Sequence, residues 1–198
     1  MAVLAVLAVR VCHGGDGYNR WSKPLRRLFS LLMTLLEALR DPNLFARHFR
    51  DPSWGPWKAF IAALFAEGTA PEADPALYRE LTGRTEQPAS AFTEAALIVG
   101  RRGGKSRVLA LIAVYLACFR DYAPYLAPGE VATVAVLAAD RSQARAIFRF
   151  AIGLLRAVPL LQPMIVRSDA EQIVLSNRVV MEGRHGDHEP VARPPGHR

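Results

Sequence analysis

The chain has 198 residues, a formal net charge of +7, and 51% hydrophobic against 22% charged side chains. That length holds one domain with appendages, and the composition excludes global disorder. Two cysteines, Cys12 and Cys118, exclude a disulfide scaffold and point to a reducing cytosol, while the positive balance favours anionic partners such as nucleic acid.

The first nine residues, MAVLAVLAV, look like the core of a signal peptide. They lack a basic start, and Arg10-Val11-Cys12-His13 offers neither a cleavage nor a lipidation site, so export is not expected. His13-Gly14-Gly15-Asp16-Gly17 is a loop signal, followed by the basic Lys23-Pro24-Leu25-Arg26-Arg27. A fresh amphipathic pattern begins at Met33. Residues 1–32 are therefore expected to be a non-native or disordered leader, with Met33 the real start.

Leu35–Phe49 and Pro56–Phe65 carry apolar residues at helical spacing, punctuated by Asp41-Pro42 and Asp51-Pro52. Pro71–Leu81 predicts a short helix and Thr82–Thr93 a loop. Ala95-Ala96-Leu97-Ile98-Val99 is continuously apolar, the pattern of a buried parallel strand. Lys105–Arg120 predicts a helix whose apolar run, Val108–Phe119, falls short of the roughly 18 residues a membrane span needs. Val131–Ala138 predicts a second strand and Arg141–Val158 a second helix, in which Phe148 and Phe150 read as core. Glu171–Glu182 alternates as a hairpin turning at Ser176-Asn177. Strand, helix, strand, helix implies a parallel sheet with flanking helices.

Residues 182–198 hold three Gly, three Pro and three His, and hydrophobic periodicity stops there. His185, Asp187 and His188 sit on no predicted element that would orient metal ligands. A disordered or frame-shifted tail is expected.

One motif carries chemistry: Val99-Gly100-Arg101-Arg102-Gly103-Gly104-Lys105-Ser106, after an apolar run and opening a helix. Gly103 and Gly104 let backbone approach an anion with no Cβ in the way. The helix start presents unpaired amides and the positive end of its dipole. Lys105 adds a point charge for the β- and γ-phosphates, and the Ser106 hydroxyl suits Mg²⁺. Arg101 or Arg102, on the rim, is placed to stabilise charge on a γ-phosphate. The general phosphate-loop pattern wants glycine where Val99 stands, with Gly100 one residue late. The plain alternative is a basic glycine turn before a core helix.

With the downstream Ala113-Val114-Tyr115-Leu116-Ala117 and Val136-Leu137-Ala138-Ala139-Asp140-Arg141-Ser142-Gln143-Ala144, this stretch resembles the ATPase domain of the large terminase subunits of tailed bacteriophages. Trp54 to Phe60 and Leu77 to Thr85 are similar to that family as well. The resemblance spans about residues 33–181, and terminase phosphate loops commonly lack the first glycine and carry an arginine before Gly-Lys-Ser/Thr. It implies an incomplete P-loop NTPase-type α/β fold preceded by a helical segment. The implied function is that of a DNA-packaging motor subunit in the bacterial host cytoplasm, with ATP and Mg²⁺ as cofactors. Gly100, Arg101, Arg102, Gly103, Gly104, Lys105 and Ser106 would bind the nucleotide, Lys105 and Arg101 acting on its phosphates and Ser106 on the metal. Implied partners are double-stranded phage DNA, a portal protein and a small terminase subunit, with self-association open and no membrane. Trp54, Trp57 and the loop around Gln87 lie where the family contacts adenine; helix-packing anchors are the alternative for the two tryptophans.

The family's acidic strand ending in Asp-Glu is missing, and so is its nuclease carboxylate cluster. Asp140 follows the wrong strand to serve. The expectation is a truncated fragment with an exposed apolar edge, poor solubility and negligible turnover. Two other readings stand beside it: a small P-loop kinase, and a non-enzymatic basic nucleic-acid-binding module.

Overall fold

A computed structural model describes residues 33–100, 102–138 and 141–183, together with the backbone of 6–12 and 184–185. Most of the expected leader, and the tail from residue 186, lie outside the described residues, as do Arg101 and Asp140.

The first helix, α1 (Leu35–Arg40), opens on a reciprocal cap. The Glu37 amide donates to Thr34 Oγ1 at 3.2 Å, and the Thr34 amide donates to Glu37 Oε2 at 2.7 Å. The helix stops at Asp41, before Pro42, so the periodic stretch to Phe49 is not one helix. Leu44 and Phe45 are buried from a turn before a short 3₁₀ segment, Ala46–His48, and Phe49 just after it. Next come α2 (Gly55–Leu64) and α3 (Pro75–Thr82). The latter is capped by Asp74, whose carboxylate accepts from the Ala76 and Leu77 amides at 2.8 and 3.2 Å.

The helix α4 (Lys105–Phe119) is the centre of the molecule. Val108, Leu111, Ala113, Val114, Ala117 and Phe119 are all buried, so it is apolar nearly all round. Phe119 meets Phe45 at 6.1 Å and stacks on Tyr115 at 5.6 Å, joining α4 to the N-terminal helices. The Tyr115 hydroxyl donates to the Met33 carbonyl at 3.0 Å, and the Asn177 amide donates to the Ala117 carbonyl at 2.7 Å, giving two polar anchors to an otherwise apolar element.

Among the described residues five strands form one open, mixed sheet. They are β1 (Val6–Cys12), β2 (Val131–Ala138), β3 (Ile165–Ser168), β4 (Gln172–Leu175) and β5 (Val179–His185), and α5 (Arg141–Ala157) lies between β2 and β3 in sequence. The order across the sheet is β1-β2-β5-β4-β3. Only β2 and β5 pair in parallel; β1 on β2, β4 on β5 and β3 on β4 are antiparallel. The chain is thus α/β, and the expected parallel sheet is corrected to a mixed one. The hairpin forms as its alternation predicts, Ile173 opposite Met181 and Val174 opposite Val180. Its second strand runs past Glu182 to His185, the start of the expected tail. The helices α4 and α5 pack against each other and both touch β2 and β5.

Two further expectations fail. Ala95–Val99 is not a strand: the segment is irregular, and Ile98 is 95% exposed. A strand needs a neighbour to complete its ladder as well as apolar side chains. Both edges of β2 are taken, by β1 and β5. The second failure is Phe150, read as core with Phe148. Phe148 is buried, but Phe150, two residues on, points away from the sheet and is 45% exposed. No helix among the described residues is long and apolar enough to cross a membrane.

Candidate functional site: a glycine turn under two tryptophans

The candidate site is the link from residue 99 into α4. The Gly103 amide donates to the Gly100 carbonyl at 3.3 Å, closing a tight turn. Arg102 has φ +62°, a left-handed conformation that is uncommon for a side chain of its size. Gly104, at φ +82°, is the residue from which α4 starts. Its carbonyl accepts from the Arg107 and Val108 amides at 3.0 and 3.1 Å, so the helix begins at once. Among the described residues no side chain caps that start. The first amides of α4, with Lys105 and Ser106 half-buried beside them, form an uncapped positive end.

Both glycines are enforced sterically. A Cβ on Gly103 would lie 2.6 Å from Val99 Cγ1. A Cβ on Gly104 would lie 2.9 Å from Trp54 Cζ3 and 3.1 Å from Trp54 Cη2. The Trp57 indole N–H donates to the Gly103 carbonyl at 2.8 Å. Trp54 and Trp57, three residues apart where α2 begins, thus bring their rings to the same loop. Of the two readings open for these tryptophans, the structure shows contact with the turn itself. Gln87 is half-buried, with its carboxamide oxygen buried and unpartnered among the described residues.

Arg107, the third residue of α4, was not singled out by any sequence motif. Its guanidinium lies 4.9 Å from the Phe49 ring centroid and 5.1 Å from that of Trp54, and it donates to the His48 carbonyl at 2.6 Å. Phe49 meets Trp54 edge-on at 5.0 Å. The signal was present in retrospect: Arg107 is the one charge in α4 beyond its first residue, and a cation in an apolar helix needs partners. The His48 imidazole sits against this cluster. Burial, then the charges of Arg107 and Arg47, hold it below its ordinary 6.5.

Of the predicted residues, Gly100, Arg102, Gly103, Gly104, Lys105 and Ser106 fall on one turn and one helix start. Arg101, the γ-phosphate candidate, lies outside the described residues. The strand expected to lead into the turn is absent, so the turn hangs from α4 and the tryptophans rather than from a sheet. Among the described residues no group of three His, Cys, Asp or Glu side chains is placed to hold a metal ion. Compared with known proteins, the chain matches no family model, no curated protein and no solved structure.

Proposed function

We propose that the chain binds ATP through the turn Gly100–Ser106, as the nucleotide-binding part of a DNA-packaging motor subunit of the terminase large-subunit kind. One observation carries the reading: the left-handed Gly104 starts a helix that no described side chain caps and whose first two residues are Lys105 and Ser106. Phosphate oxygens would meet the first-turn amides and the Lys105 ammonium, and Arg101 or Arg102 would face the terminal phosphate. Mg²⁺ would be held by the phosphates, water and the Ser106 hydroxyl. The sequence contains no Asp-Glu pair, so the activity proposed is binding without appreciable turnover. Double-stranded DNA, a portal protein and a small terminase subunit are the partners this reading carries, with self-association open.

The test is calorimetric titration of the full chain with Mg-ATP. Binding that weakens at least tenfold in Lys105→Ala, with unchanged circular dichroism, supports the proposal. A wild-type chain that takes up no ATP refutes it. ATP hydrolysis by the monodisperse chain that falls with Lys105→Ala refutes the absence of turnover.

The basic-module reading is favoured by one observation of its own. The closeness of Trp54 to Gly104 and of Val99 to Gly103 accounts for both glycines without any ligand. On that reading Lys105→Ala leaves every binding property unchanged.

A further inference from the structure

We infer that the outward face of α5 is a phosphate-binding stripe for a nucleic-acid duplex. The helix reads RSQARAIFRFAIGLLRA and holds four arginines and no carboxylate. At 3.6 residues per turn, Arg141, Arg145, Arg149 and Arg156 fall within an arc of about 80°. Ala144, Ile147, Phe148, Ala151 and Leu155 are buried over the adjoining arc, with Phe148 about 20° round from Arg141. The four arginines are exposed, the side chains of Arg141 and Arg145 by 55% and 52%. From first to last they cover about 22 Å of helix, the length over which a duplex presents roughly 13 phosphate charges. Ser142, Ala146 and Gly153 flank the stripe, and a Cβ on Gly153 would meet nothing within 4 Å, so close approach of a backbone is unobstructed.

The neighbouring charges reduce the stripe without cancelling it. Glu171 lies 3.3 Å from Arg141 and 3.9 Å from Arg145. Asp169 is paired at 3.4 Å with Arg167, another exposed arginine. Arg156 reaches Ser168 at 3.5 Å, and Arg149 lies mid-helix. A duplex fits better than an anionic membrane, because no exposed large apolar side chain interrupts the stripe; Phe150 lies about 100° round from Arg149. The duplex as partner rests on the motor reading above, while the surface is argued from the charge of α5.

The experiment is fluorescence anisotropy of a labelled DNA duplex of about 30 base pairs, titrated with the full chain at salt from about 50 to 200 mM. Four phosphate contacts predict a log–log salt slope near −3.6, which weakens binding about 150-fold over that range. Arg149→Glu with Arg156→Glu leaves two contacts and predicts a slope near −1.8, about 12-fold. Arg149→Gln with Arg156→Gln predicts the same slope and guards against a folding defect from charge reversal. Arg79→Glu, an exposed site on α3, removes equal charge per site and leaves the slope within error. Lys105→Ala leaves duplex binding unchanged, so the nucleotide turn and the stripe fail separately. The inference is overturned by the absence of duplex binding at the lowest salt, by an unchanged slope in both double variants, or by an equal loss in Arg79→Glu. Sedimentation with phosphatidylserine vesicles but no duplex binding overturns it in favour of a membrane surface.

Discussion

Gly104→Ala tests the physical account of the turn most directly. The residue sits at φ +82°, where a side chain costs about 1–2 kcal/mol. The new methyl would also lie 2.9 Å from Trp54 Cζ3. Trp54 has little room to yield, because Arg107 stacks on it at 5.1 Å and Phe49 meets it at 5.0 Å. Moving the ring adds an overpacking cost of about 1–3 kcal/mol. The sum, roughly 2–5 kcal/mol, lowers the melting temperature by at least 4 °C for a chain of this size. Urea unfolding followed by tryptophan fluorescence reads it directly, since Trp54 and Trp57 are at the site. The paired control is Gly153→Ala, where a Cβ meets nothing within 4 Å inside α5. There alanine replaces the poorer helix former and stabilises by about 0.5–1 kcal/mol. A Gly104→Ala loss below about 0.5 kcal/mol, or losses equal at the two glycines, would refute the reasoning.

Other outcomes follow from neighbouring contacts. Trp57→Phe keeps an aromatic ring against Phe60 but removes the donor to the Gly103 carbonyl, and should cost about 1 kcal/mol in the same urea experiment. Glu67 accepts from the Leu35 and Leu36 amides at 3.3 and 3.2 Å, and burial raises its carboxyl above the usual 4.5. The folded state therefore holds this proton more tightly than the unfolded state. Its stabilising contribution is full below pH 4.5 and is lost as pH rises through the raised value. Thermal melts from about pH 4 to 7 should show that decline, and it should vanish in Glu67→Gln. The His48 imidazole, held below 6.5, acts in the opposite sense, with stability lost as pH falls from 6.5 through the lowered value. His48→Gln should remove that acid-side loss from the same melts.

What the sequence determined by itself was local. The helix start at Thr34, the stop at Pro42, the hairpin at Ser176-Asn177 and the amphipathic face of α5 are each written within a few residues, whereas the helix expected from Pro71 starts four residues later, at Pro75. Glycine at the mouth of α4 was also legible, because a helix opening on Gly-Gly-Lys-Ser needs an unusual backbone there. Tertiary structure decided what depends on partners distant in sequence. Ala95–Val99 has the composition of a strand, but β1 and β5 occupy both edges of β2, and the segment pairs with no described strand. Arg107 has no motif, yet the rings of Phe49 and Trp54, more than fifty residues upstream, make it part of the turn's support. Periodicity reports which side chains seek burial; which surface receives them is settled only when the whole chain has packed.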